Sequence, residues 1–549
     1  MTKSSHLFSV KKLQVLNIIM ALAIINVATW CQADDEIVSW GNIPGRNMVL
    51  EAKDLPVELT DENILWKHEM KSNHLYGQPA IVGDKLLIGL CDNLTLPAAD
   101  GETTTYQHSQ AVCLDLDDGA LIWRLALGYS RYGVCATYAI EDDRIYFISN
   151  TDFICADIGG MADGNDGATN ELELLTTGRK SSMTPGIGFP EDVPYGDVIW
   201  SMDLAELKVK IHDAGSGTPL IIGDTVWVTT SQSEGEKPAT AQMKGPDDYP
   251  RGVTKTPIPN IVVADKMTGE LLAVDEQIIP RVFHGQWSSL AAGVVDGRQL
   301  VFWGDGYGMI HAFAVPEKYE GEKPIHLEEV WKCDANPHDY RYEADGSEWP
   351  YAFSHRGKDQ EETHKRRFLG PAHPIGTPVF HEGRLYVGIG RDMVYNLREG
   401  GRGKGQGALT CIDPDGRGDI TKTNILWQNR EVGRTHSTVS IQDGLLYMPS
   451  TDGFIYCVDI KDGGILSKQD LGHAVADRSQ LLADGKIYVT TDKREMYVIE
   501  AGRELKTLWS GKTEVEPATP LAWKDRLIIA TKRGVIVYKK GANPDSLSQ

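Results

Sequence analysis

Apolar positions in this chain come as pairs of short runs, each pair split by a turn carrying Gly or Asp. "PAIVGDKLLIGL" from Pro79, "YAIEDDRIYFIS" from Tyr138, "PLIIGDTVWVTT" from Pro219 and "PVFHEGRLYVGI" from Pro378 share this layout. "VSIQDGLLYMPS" from Val439, "QLLADGKIYVTT" from Gln480 and "PLAWKDRLIIAT" from Pro520 repeat it. "AGVVDGRQLVFWG" from Ala292 is an eighth copy, read with one extra residue in its turn. Such runs, rich in β-branched and aromatic residues, predict hairpins. A second element follows most copies: "CLDLDDGALIW" ends at Trp123, "VADKMTGELLA" at Ala273, "CVDIKDGGILS" at Ser467 and "VIEAGRELKTLW" at Trp509. It predicts a third strand, an Asp- and Gly-bearing turn, and a fourth strand often closed by tryptophan. Four strands per unit, eight times over and without helical periodicity, predict an all-β fold: an eight-bladed β-propeller of four-stranded antiparallel blades.

The ends complete the count. The last copy supplies three strands before the chain reaches Lys540, while "ENILWKHEM", Glu62 to Met70, reads as an orphan fourth strand with its own Trp66. Pairing the two closes the ring and removes an exposed edge. The propeller is therefore expected over 61–540, with a lead-in of little predicted structure at 34–60 and a tail at 541–549. At the N-terminus Lys3, Lys11 and Lys12 precede an apolar run from Leu13 to Val27. That pattern predicts a signal peptide at 1–33, cut after Ala33, and a periplasmic or secreted protein. No later stretch has the apolar length of a membrane helix.

Charge narrows the partners. The formal net charge is −22, which repels phosphate backbones and excludes nucleic acid as a partner. A small anionic ligand, a polysaccharide or a protein partner remains, and a monomer is expected. Of the eight cysteines, one leaves with the leader. Cys113, Cys411 and Cys457 share one repeat position, with Cys155 close to it, as small buried residues would. A Cys91–Cys113 bridge within blade 1 stays open.

The third-strand turn carries a family resemblance. "CLDLDDGALIW" fits small-x-Asp-x-x-Thr-Gly-x-x-x-Trp with Asp118 in the threonine's place. "VADKMTGELLA" keeps Thr268 and Gly269 but has Ala273 for the tryptophan. From about Ile64 to Lys539 the chain resembles the PQQ-like, quinoprotein-type eight-bladed propellers. The resemblance implies one of two activities, because a fold does not determine function. One is a non-catalytic periplasmic scaffold, like the lipoprotein that assists outer-membrane barrel assembly. The other is a PQQ-dependent alcohol or sugar dehydrogenase, with PQQ and Ca²⁺ as cofactors. The alcohol dehydrogenases carry two adjacent cysteines against the cofactor, and no Cys-Cys pair occurs here.

Strand alternation places the residues that enter each first strand at the mouth of the central channel. His74 belongs there from blade 1, Arg131 and Tyr132 from blade 2, and His212 from blade 3. Blade 4 adds His284 and Trp287, blade 5 His373, blade 6 Arg434 and His436, and blade 7 Asp477 and Arg478. Guanidinium forks suit carboxylate or sulfate groups, and Trp287 and Tyr132 suit a flat ring. PQQ or an anionic sugar fits that chemistry; ion pairing with neighbouring carboxylates is the structural alternative. The histidines would hold a transition metal only if they converged at about 2 Å from one ion. Asp413, Asp415 and Asp419 in "DPDGRGDI", like "ADGNDGATNE" in the 158–197 insertion, offer oxygen spacing for Ca²⁺ or for Asp-Gly turns. Segments 92–110, 231–259, 333–374 and 391–407 read as long loops on the funnel face. The leading expectation is a non-catalytic binding or scaffold protein acting through the funnel and the loops of blades 3–5. A PQQ-dependent oxidoreductase and a metal-dependent enzyme using the funnel histidines are the alternatives.

Overall fold

Each expected hairpin forms, and eight sheets built on four antiparallel strands succeed one another along the chain. Their innermost strands are Ala80–Val82, Ala139–Glu141, Leu220–Ile222, Ala291–Val295, Val379–His381, Ser440–Gln442, Leu481–Ala483 and Leu521–Trp523, for blades 1 to 8. The computed structural model describes residues 37–70, 72, 75, 77–97, 103–129, 133–168, 195–211, 215–235, 252–253, 256–279, 282, 285–348, 371–390, 406–513 and 516–542. The leader expected at 1–33 lies outside the described residues.

Local chemistry sets the first hairpins. Asp443 and Gly444 adopt φ of 53° and 76°, and Asp484 and Gly485 adopt 52° and 64°, the paired left-handed residues of a two-residue turn whose twist matches its strands. Blade 4 corrects a detail: Val295 pairs with Arg298 around Asp296–Gly297. Its extra residue therefore sits in a strand, not in the turn. A second correction concerns 92–110. Lys85–Pro97 and Thr103–Asp115 pair across thirteen positions, so most of that segment is a long β-ribbon; its threonines and Tyr106 favour extended backbone.

The ring closes as expected. Ile64–Glu69 pairs antiparallel with Gly534–Lys539, so the fourth strand of blade 8 comes from the start of the chain. The motif's tryptophan and glycine prove to be partners across blade boundaries. Trp66 Nε1 donates to the Leu116 carbonyl in blade 1, Trp123 to Ile158, Trp200 to Lys266, Trp331 to Pro414 and Trp427 to Ile460. Each bond reaches from a fourth strand into the next blade's third-strand turn. A Cβ on Gly119 would meet Trp66 at 2.6 Å, and one on Gly463 would meet Trp427 at 2.5 Å. The indole lies where that side chain would be, and glycine is required.

The cysteines behave as small core residues. Cys155, Cys411 and Cys457 lie opposite Tyr146, Tyr386 and Tyr447 of the second strands; Cys113 lies opposite Leu87, with Trp123 on its other side. A small residue there leaves room for two large neighbours. Cys91 and Cys113 are both free thiols; burial pushes Cys113 up to about 12.

Two further devices line the channel. The first is a belt of hydroxyls where each first strand begins. Gln78 N–H donates to Thr137 Oγ1, Thr137 N–H to Thr218 Oγ1, and Thr218 N–H to Ser289 Oγ. Thr377 N–H donates to Thr438 Oγ1, Thr438 N–H to Ser479 Oγ, and Ser479 N–H to Thr519 Oγ1. At the seam Gln78 Nε2 reaches the Pro520 carbonyl at 2.7 Å. Every blade start is thereby tied to a neighbour, and backbone donors that face the channel are satisfied.

The second device is the lead-in. Residues 37–53 have almost no regular structure, yet they circle the channel once and touch, in every blade, the innermost strand or the residue flanking it. Ile37 bridges Ile81, Val38 accepts from Ile140, Pro44 from Ala292, and Gly45 from Phe380. Asn47 exchanges two hydrogen bonds with Ile441. Val49–Leu50 runs parallel to Leu482–Ala483, and Ala52 bridges Lys524. Arg46 supplies blades 3 and 4 through its guanidinium, donating to Pro219 O and Leu290 O, each at 2.8 Å. These contacts fall past the hydroxyl belt, toward the turns between first and second strands, so the segment plugs the channel at that end.

Candidate functional site

The mouth opposite the plug is formed by the loops entering each first strand and by the turns between second and third strands. Six of the expected site residues are described there: Trp287, His373, Arg434, His436, Asp477 and Arg478. His74, Arg131, Tyr132, His212 and His284 lie outside the described residues.

Arg434 does not point its fork into the funnel. It is buried, with Nη2 at 2.8 Å and Nε at 3.2 Å from Asp452 Oδ1, in the turn between the second and third strands of its own blade. Blade 7 repeats the arrangement: Arg478 Nη1 donates to Thr491 O at 3.0 Å and lies 3.8 Å from Asp492. In blade 8 the polarity is reversed, with Glu516 on the entering loop paired to Lys532 on the turn. In these blades an entering loop is tied to a turn by opposite charges.

His436 links two blades. Its ring is buried and its Nδ1 is 3.0 Å from Asp477 Oδ1, whose side chain is 43 % exposed. Ser437 Oγ donates to the Arg478 carbonyl, fixing the two loops together. Asp492 lies beneath them. Burial pushes its carboxyl up to about 6, against the pull of Arg478 and with the push of Asp477. Burial raises Glu516, but its bond to Lys532 together with the attraction of Lys532, Arg478 and Arg494 holds it below the usual range. The result is a string of alternating charge across the funnel face of blades 6 to 8.

On blades 4 and 5, Trp287 and the buried His373 bring their rings to 6.2 Å. His373 also exchanges backbone hydrogen bonds with Gly390, which anchors the blade 5 loop to its second strand. Asp413, Asp415 and Asp419 have other work. Asp413 pairs with Arg384 at 3.2 Å, and Gly418–Asp419 adds as a parallel outer strand to blade 4. Among the described residues no three His, Cys, Asp or Glu side chains gather as a metal site would require.

Several residues of this face went unnoticed in the sequence. Asp305, Asp452 and Asp492 follow the second strands of blades 4, 6 and 7, in "WGDG", "STDG" and "TTDK". That recurrence was a usable signal. Asp305 accepts from Tyr307 N–H and Met309 N–H, and with Glu329 it brackets the buried imidazole of His311, at 3.2 and 2.5 Å. Burial alone would lower His311; the two carboxylates overcome it and push the ring up to about 9. The hydroxyl belt was legible too, as Ser or Thr at seven of eight strand entries, with Gln78 the exception.

PQQ can be tested against these residues. Its carboxylates would need free cationic forks, and Arg434 and Arg478 are already engaged by Asp452 and by Thr491 with Asp492. Among the described residues the donor set does not fit that cofactor.

Residues 405–543 match the family model described as outer membrane protein assembly factor BamB. Over those residues the chain is similar to PQQ-like repeats. That match covers the third and fourth strands of blade 5, blades 6 and 7 and the first three strands of blade 8, including Arg434–Asp452, His436–Asp477 and Arg478–Asp492. No curated protein matches the chain. Among solved structures, BamB from Moraxella catarrhalis is 12% identical over 86% of this chain and 95% of that one, with a TM-score of 0.45. Quinohemoprotein alcohol dehydrogenase from Comamonas testosteroni is 11% identical over 94% and 82%, at 0.39. Sqt1 from Saccharomyces cerevisiae is 11% identical over 87% and 98%, at 0.46. The PQQ-like assignment and the strand topology stand without these distant likenesses.

Proposed function

We propose that this chain is an exported, non-catalytic PQQ-like propeller that binds a protein partner across its funnel face. The plugged channel is the observation that carries this reading. Residues 37–53 occupy the end nearest the turns between first and second strands, which leaves the opposite rim as the candidate face. Around that rim the buried cations are already paired within their blades. What faces outward are carboxylates and a histidine: Asp477, Glu516 and His473, each with two-fifths or more of its side chain exposed. Fixed, outward-facing charge on rigid loops suits a protein surface of opposite sign, where it sets orientation and association rate. The match of 405–543 to an assembly-factor model supports the same reading.

A photo-crosslinking residue placed at Asp477 in the cells that make this protein should capture a discrete partner, and one at Lys461 on the opposite face should not. Capture at Lys461 and silence at Asp477 would overturn the proposal. Export is checked separately, by sequencing the mature N-terminus, which is expected to begin at Asp34.

A further inference from the structure

The seam where the ring closes carries a groove of about 920 Å³, whose rim at Arg533 adjoins Lys532 of the funnel string. Its walls come from three blades: the end of the closing strand at Lys67 and Met70, the end of blade 7's fourth strand at Trp509 and Lys512, and Arg124 of blade 1. Blade 8 adds Arg533, Ile536 and Tyr538. The charged lining consists of Lys67, Arg124, Lys512 and Arg533 against Asp61 and Glu69, a cationic excess in a chain of net charge −22. Lys67 stands 3.5 Å from Asp61. Arg124, Lys512 and Arg533 make no ion pair among the described residues. Arg124 is half-buried and Lys512 and Arg533 are exposed, so the recess gathers three cations that make no ion pair among the described residues beside an indole and a phenol.

We propose that this groove binds an anionic amphiphile, a small molecule with a carboxylate or sulfonate-type group on a flat or aliphatic body. The acidic group would lie among Lys512, Arg533 and Arg124, where guanidinium and ammonium donors satisfy it. The apolar body would lie against Trp509, Ile536 and Tyr538, removing their surface from water. Occupancy touches blades 7, 8 and 1 at once. It therefore bridges the one junction of the ring that rests on strand pairing between distant parts of the chain. A ligand that binds only the closed ring must stabilise closure.

The probe is 8-anilinonaphthalene-1-sulfonate, which combines a sulfonate with an aromatic body. The full mature protein should bind it saturably at one site near neutral pH, with a rise in melting temperature. Lys512→Gln combined with Arg533→Gln should weaken binding at least tenfold and abolish the rise. Lys461→Gln, on an exposed turn of blade 6, should leave both unchanged. Unchanged affinity in a folded Lys512→Gln/Arg533→Gln variant overturns the proposal, as does loss of binding in Lys461→Gln or a weak, non-saturating response in the wild type. Should the double variant fail to fold, wild-type affinity is measured from low to high salt. A tenfold or greater loss supports the site, because exposed charge pairs are screened, and salt-independent binding rejects it.

Discussion

Replacing Arg46 by alanine should release the plug while leaving the blades intact. Three of its hydrogen bonds are well formed: Nε to Leu290 O at 2.8 Å, Nη1 to Trp40 O at 3.0 Å and Nη2 to Pro219 O at 2.8 Å. The side chain is buried with no carboxylate beside it, and that burial lowers its affinity for the proton. Two effects oppose each other. Charged hydrogen bonds contribute roughly 1.5 kcal/mol each, about 4–5 kcal/mol for the three, and alanine also strands their carbonyls. Removing a buried cation with no carboxylate beside it returns several kcal/mol of desolvation cost, but each of the three stranded carbonyls costs about 1–3 kcal/mol more. The bonds and stranded carbonyls win, and a net loss of about 2–4 kcal/mol is expected in the local stability of 37–53. The loss is local to 37–53, so a global denaturation midpoint is the wrong readout for it. Hydrogen exchange resolves local opening. The amides of Ala292, Phe380 and Leu482 donate to the plug, and their exchange should accelerate roughly 30- to 700-fold, at tenfold per 1.4 kcal/mol. Amides of the second and third strands should not change. Exchange at those three positions within threefold of wild type, in a folded variant, would refute the reasoning.

Other outcomes follow from the same contacts. Gly119→Ala puts a Cβ 2.6 Å from Trp66 at a φ of 76°, so thermal melting should show a loss of about 1–3 kcal/mol at the seam; an unchanged melt would separate glycine from the tryptophan it faces. Thr438→Val removes the acceptor for both Thr377 N–H and Trp40 Nε1, a loss of about 1–3 kcal/mol, whereas Thr438→Ser should recover most of it. For His311 the folded ring is raised to about 9, above its free value of about 6.5. Its stabilisation is therefore complete below about pH 6.5 and lost as pH rises through about 9. Melting curves across that range should fall for the wild type and run flatter for His311→Asn. Asp492, raised to about 6 with Arg478 opposing the shift, should titrate higher still in Arg478→Ala; a carboxyl titration by NMR that moves downward would contradict the charge arrangement.

The blade count, the hairpin turns, the ring closure by Ile64–Glu69 and the small-residue role of the cysteines were all legible in the sequence. Each depends on neighbours along one or two strands, where alternation, turn residues and a recurring motif carry the information. The site was legible only as a location. Arg434 and Arg478 were singled out from their position before a first strand, but their partners, Asp452 and Asp492, lie on turns eighteen and fourteen residues away. Only the folded blade brings loop and turn together, and burial then makes pairing the outcome, because an unmatched charge there is expensive. The plug shows the same limit more strongly. "SWGNIPGRNMVL" has neither strand alternation nor helical periodicity, since its partners are the edges of eight strands spread over more than four hundred residues. Its conformation is set by donors and acceptors that exist only once the ring has closed around it. Periodicity in the chain therefore determined the architecture, and long-range hydrogen bonding determined where the lead-in sits and which of the described charges face the solvent.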